Sequence, residues 1–174
     1  MKYIVDTNIP LKASDTTSAD PLNAQCALAC LKFVQSLMDS KDIVVLDANR
    51  EILQEYRNNC KSHGQPTIAS IFLDWICRQL TLRTNSQVEM VRLTVLGDRQ
   101  YLEFPQDPDL DGFDLSDRKF IALSNAHPEH PPVIEGSDCL WWGFRDTLAS
   151  LGIRVIFVCE EYVRAKYEET YGKQ

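Results

Sequence analysis

Whatever chemistry this chain performs falls to carboxylates that follow apolar runs. Asp6 stands directly after Tyr3, Ile4 and Val5, where a buried strand would end. An unpaired buried charge is costly, so a carboxylate there needs a cation or a cap. Glu51 and Glu55 follow a second apolar run, in ANREILQEYRNN. At 100° per residue Ile52, Leu53 and Tyr56 centre the apolar face of a helix there. Glu55 borders that face and Glu51 points further toward water. In DLSDRKFIALS, a helix starting near Ser116 turns Phe120, Ile121 and Ser124 inward. Asp117 lies on the same face by its three-, four- and seven-residue spacing. Asp114 or Ser116 would cap that helix. A capping role explains an acid in the first turn, but not one aligned with the buried stripe. Asp138 closes VIEGSD, again just beyond a short apolar strand. Clustered carboxylates repel one another and are best stabilised by a hard divalent cation such as Mg²⁺ or Mn²⁺.

Other chemistries fit less well. DPDLDGFDLSDR spaces Asp107, Asp109, Asp111 and Gly112 like the start of a calcium loop, yet its twelfth residue is Arg118 and Pro108 interrupts it. A phosphatase of the haloacid-dehalogenase type needs a second aspartate two positions after the first, where this chain has Asn8. None of His63, His127 and His130 is placed by motif for acid–base work. The six cysteines, with no signal peptide before them, read as reduced thiols of a cytoplasmic protein. Cys26 and Cys30 are four apart on a helix, but no second close pair completes a zinc site. A net charge of −7 argues against a general nucleic-acid coat. It leaves room for an enzyme that meets nucleic acid through a local basic rim and a bound cation. No apolar stretch reaches the ~20 residues of a membrane helix.

The elements that must position these acids alternate between strand and helix. Residues 2–6 and 42–46 read as buried parallel strands. Between them Leu22, Cys26, Ala29, Cys30, Phe33 and Leu37 recur at helical spacing behind Pro21. Helices fit 48–61 and 67–81, the second with Ile68, Ile71, Phe72, Trp75, Ile76 and Leu80 as its apolar stripe. VEMVRLTVL can hold a strand, and the Pro- and Asp-rich FPQDPDLDGFD reads as a loop. A helix near Ser116, a strand PPVIE, a helix over 139–150, a strand over 153–158 and a charged terminal helix complete the chain. This predicts one α/β domain over 1–174, a three-layer α/β/α sandwich with a central, mostly parallel sheet. Ligands in such sheets bind beyond the carboxyl ends of the strands, and Asp6 sits at such an end.

IVDTN, the glutamate of ILQEYR, DLSDRKFIALS and VIEGSD, in this order and spacing over roughly the whole chain, resemble the motifs of PIN domains, a family of metal-dependent ribonucleases that includes bacterial toxins. By that resemblance Asp6, Glu55, Asp117 and Asp138 match the acidic quartet that holds Mg²⁺ or Mn²⁺. Asn8, Ser137, Asp114 and Glu51 match its polar and acidic supports, with Glu51 the alternative to Glu55. The activity implied is metal-dependent cleavage of single-stranded RNA. The partners implied are the RNA substrate, an antitoxin protein and a second copy of the chain. The rival expectation is a PIN-like module that binds RNA or a protein without cutting.

Overall fold

The computed structural model describes residues 1–15, 17–62, 64–84 and 86–172, so His63 lies outside the described residues. The first half contains β1 (Lys2–Val5), α1 (Asn8–Ala13), α2 (Pro21–Asp39), β2 (Ile43–Asp47), α3 (Glu51–Asn59), α4 (Ile68–Gln79) and β3 (Val88–Val91). The second half begins with a small hairpin, β4 (Val95–Gly97) and β5 (Gln100–Tyr101), and a 3₁₀ turn over Pro108–Leu110. It ends with α5 (Arg118–Ala126), β6 (Val133–Glu135), α6 (Leu140–Ser150), β7 (Val155–Phe157) and α7 (Glu160–Tyr171).

The main sheet runs β3-β2-β1-β6-β7, and every neighbouring pair is parallel. Helices flank it, as an α/β/α sandwich requires. Its inner strands are continuous apolar runs because both faces are covered. Ile4, Val5, Val44, Val45, Leu46, Val133 and Ile134 are all fully buried. The chain leaves β1 for β2 on one side and returns later to β6 on the other. The crevice beyond the carboxyl ends of β1 and β6 is therefore a topological switch point. The register that pairs Val5 with Ile134 sets Asp6 beside Glu135, and the Asp6 amide donates to the Ile134 carbonyl at 3.0 Å.

Several expectations shift once the layers are assembled. A short helix, α1, follows Asp6 at once. Pro10 hides it from helical pattern reading, yet falls in the first turn, where a missing N–H costs nothing. On α4 Ile71 is 43% exposed, and Ala69 and Leu73 are buried instead, so the inward face is rotated from the expected stripe. On α2 Leu22 is exposed for the same reason. The cysteines are not all thiols: Cys26 and Cys159, 133 residues apart in sequence, form a disulfide between α2 and the start of α7. Spacing along the chain cannot reveal a partner that only helix packing brings near. Among the described residues no helix is long and apolar enough to cross a membrane.

Tyr56 ties the site-bearing helix α3 to the sheet. Its ring is fully buried, edge-on to Phe72 with centroids 5.4 Å apart. Its hydroxyl donates to the Val5 carbonyl at 2.5 Å, one residue before Asp6. Tyr56→Phe is expected to lower stability by about 1–3 kcal/mol, because a buried acceptor loses its donor. Urea denaturation should show a lower midpoint with an unchanged m-value; an unchanged midpoint would show that this bond contributes nothing.

Candidate acidic site

Three acids end parallel strands: Asp6 after β1, Asp47 in β2 and Glu135 in β6. All three are buried, with exposures of 2%, 0% and 0%. Their hydrogen bonds separate their roles. Both oxygens of Asp47 are used, accepting from the Glu51 and Ile52 amides at 2.8 and 2.9 Å. Asp47 is the cap of α3, and its charge is met by the helix N-terminus. One oxygen of Glu135 accepts from the Gly136, Ser137 and Asp138 amides at 2.8–3.0 Å. The other, Oε2, is buried and has no hydrogen-bond partner. Asp6 accepts from the Asn8 amide at 2.7 Å.

The other acids gather around this pair. Glu55 leans from α3 and has both oxygens engaged, accepting from the Thr7 hydroxyl at 2.5 Å and from the Lys119 ammonium at 2.6 Å. Lys119 is itself 5% exposed and also donates to the Ser116 carbonyl. Asp117 stands at the N-cap of α5 and accepts from the indole N–H of Trp141 at 3.0 Å. Asp138 accepts from the Leu140 amide at 2.8 Å at the entry to α6.

The supporting residues act mainly through the backbone. The Asn8 and Ser137 amides hold Asp6 and Glu135. Asp114 accepts from the Ser116 amide and hydroxyl, both at 2.7 Å, which holds its carboxyl below the usual range and shapes the turn into α5. Glu51 is half-buried rather than turned to water, because the Tyr101 hydroxyl donates to it at 2.5 Å and brings the β4–β5 hairpin over α3. Beside Glu55 a cavity of about 330 Å³ opens between Gln54, Asn58, Arg99, Ser116 and Lys119.

The electrostatics show how closely these groups sense one another. Burial pushes Asp6 up to about 8, with the charges of Asp117 and Glu55 adding to it and Lys119 opposing. Burial likewise raises Asp117 to about 6, against the Trp141 hydrogen bond and Lys119, with Asp138 pushing it further up. Glu135 is raised well above the carboxylate range by burial and by Asp6. The acids thus share one field. They remain looser than a filled metal shell: among the described residues, the set of three ligand atoms within 4.8 Å of one another is Cys26, Cys30 and Cys159, not the carboxylates.

Sequence reasoning did not single out Glu135, Lys119, Thr7 or Trp141. Glu135 had a visible signal, an acid ending an apolar strand just before Gly136. Trp141 had none, since nothing local says that an indole on α6 reaches the start of α5. His127 is buried at the opposite, amino end of the sheet, where it meets Glu89 at 3.1 Å and Lys2 at 3.4 Å, away from the acids.

No protein-family model, curated protein or solved structure matches this chain. The function of the site must be argued from its own residues.

The raised carboxyls predict an unusual pH dependence of stability. An aspartate with a folded pKa near 8 and an ordinary one of 3.8 holds its proton in the folded state while the unfolded chain releases it. Its contribution is therefore full below pH ~4 and is lost as pH rises to about 8. Asp117 adds to this in the same direction, up to about pH 6. In chelator, the wild type should lose stability between pH 5 and 8, while Asp6→Asn flattens that slope and is about 1–3 kcal/mol the more stable of the two at pH 8. Denaturation at a series of pH values checks this. A destabilised Asp6→Asn protein with the wild-type slope would make Asp6 a plain turn cap.

Proposed function

We propose that this protein is a metal-dependent endoribonuclease of PIN type. The observation that supports the reading most is the Asp6–Glu135 pair: two buried carboxyls at adjacent parallel strand ends, with Glu135 Oε2 lacking any partner. Evidence of a purely structural acid would be what Asp47 shows, both oxygens met by backbone amides. The four carboxyls that would ligate an ion, Asp6, Asp117, Glu135 and Asp138, offer oxygen alone, a donor type that fits Mg²⁺ or Mn²⁺. Asp6, Asp117, Glu135 and Asp138 would hold the ion, and Glu55 would join them on release from Lys119. Bound there, a divalent ion supplies a water of lowered pKa and offsets charge developing on a phosphodiester.

The chain's own residues do the rest. Thr7 anchors one oxygen of Glu55 next to Asp6 while Lys119 occupies the other, and Trp141 orients Asp117. The cavity beside Glu55 presents Arg99 to the phosphates of a strand, with Gln54 and Asn58 able to hydrogen-bond it. A local basic contact of this kind is what an acidic chain with a net charge of −7 needs to meet a polyanionic substrate. RNA rather than DNA, an antitoxin partner, self-association and a cytoplasmic site of action follow the resemblance to PIN domains and form part of this proposal.

A second reading has its own observation behind it. With Glu55 engaged twice and, among the described residues, no three carboxylates mutually within 4.8 Å, the chain would instead bind RNA without cutting it. Calorimetric titration with Mn²⁺ separates the two. The nuclease reading expects one site whose affinity rises with pH up to about 8, because protons on Asp6 compete with the ion. It is abandoned if no heat attributable to the acids is seen.

Purified protein is expected to cut single-stranded RNA with Mg²⁺ or Mn²⁺ and to stop in EDTA. Asp117→Asn should lose about 100-fold or more, and Trp141→Phe about 10–100-fold through misplacing Asp117. Gel analysis of a labelled oligonucleotide checks each. Cleavage that survives EDTA, or an Asp117→Asn protein as active as wild type, would refute the mechanism.

A further inference from the structure

Behind the acidic site lies a second cluster that the proposed chemistry does not use. Cys26 and Cys30 stand one turn apart on α2, and Cys159 is the residue before α7. Cys26 and Cys159 are joined, and the Cys30 thiol lies 3.6 Å from the Cys159 sulfur. All three are buried, Cys30 completely. A cavity of about 480 Å³ is lined by Cys26 and Cys159 together with Leu22, Phe157 and Tyr162, giving a small reagent a route to the disulfide. The sulfurs pack directly under the turn after Glu135: Cys26 Sγ lies 3.8 Å from the Gly136 carbonyl oxygen. A β-carbon at Gly136 would stand 3.1 Å from Ile9 and 3.4 Å from Cys30 Sγ, so that turn has no slack.

A buried structural disulfide has no need of a third sulfur in contact with it. Here the third sulfur is within reach of Cys159, the half of the bond that belongs to the distant helix. We propose that Cys26, Cys30 and Cys159 form a thiol–disulfide exchange site, in which Cys159 pairs alternately with Cys26 and with Cys30. Burial and the neighbouring Glu135 push the Cys30 thiol up to about 12, so the exchange is slow and quickens with pH as Cys30 loses its proton and its sulfur attacks Cys159 Sγ. The Cys30–Cys159 bond forms, the Cys26–Cys159 bond breaks, and Cys26 leaves as the thiolate and takes up a proton, so no net oxidation occurs. A small dithiol entering by the cavity opens the bond fully. It gives two electrons and two protons to the protein sulfurs and departs as its own disulfide. The site is independent of the nuclease reading, and its test needs no cleavage assay.

The test uses the full chain purified without reductant, with thiols blocked in acid and pairs mapped by mass spectrometry. The wild type should contain the Cys26–Cys159 pair, and dithiothreitol should remove it and lower the melting temperature by ~5–15 °C, given so long a closed loop. After mild oxidation, Cys26→Ser should contain an intramolecular Cys30–Cys159 pair. Should that variant fail to fold, partly reduced wild type quenched over time must show the Cys30–Cys159 pair as an intermediate. The proposal is overturned if Cys159 is left free or pairs only between molecules in Cys26→Ser, or if the partly reduced wild type never shows that pair. Stoichiometric zinc on the three sulfurs of the purified protein would overturn it too, by making the cluster a metal site.

Discussion

Two carboxyls lie side by side in a space from which water is excluded, and the architecture around them answers that fact. The parallel register of β1 and β6 places Asp6 next to Glu135, each nearly or wholly buried. In so low a dielectric neither charge is tolerable alone. Glu135 draws three amides of the following turn onto one oxygen, and Asp6 draws one. Lys119, buried and paired with Glu55, contributes the positive charge that a hydrophobic interior would not otherwise admit.

That arrangement explains why elements far from the strand ends matter. Tyr56 binds α3 to the Val5 carbonyl, Asp47 caps the same helix, and Glu55 is carried between those two anchors. Trp141 reaches from α6 to hold Asp117 at the start of α5, so the third and fourth acidic motifs are linked by an indole and not by sequence proximity. Tyr101 and Glu51 close the hairpin over the side of the site. Removing any one of these loosens a carboxylate rather than deleting it.

The sulfur cluster occupies the reverse side of the same turn. Gly136 is hemmed in by Ile9 and Cys30 on one side while its amide holds Glu135 on the other. A chain segment so tightly packed transmits displacement poorly in small steps and well in discrete ones, which makes the packing beneath it as consequential as the acids it carries.

Much of the layer order was legible in the sequence because local periodicity encodes it. Continuous apolar runs gave away the buried strands, Pro21 marked the start of α2, and the alternation of strand and helix implied the parallel sheet. Asp6, Glu55, Asp117 and Asp138 stood out because each broke an apolar pattern at a place where a sheet of that kind opens. What periodicity cannot encode is which distant side chains meet. The inward face of α4, the Lys119–Glu55 pair, the indole on Asp117 and the Cys26–Cys159 bond all depend on how helices rotate and dock once the core closes. Glu135 is the clearest case. Its place at the end of an apolar run shows in VIEGSD, but only the register of β6 against β1 sets it beside Asp6 with one oxygen unmet. Pattern along a chain determines which residues turn inward; the packing of the layers decides which of them share a site, because contact energies act between elements that sequence keeps far apart.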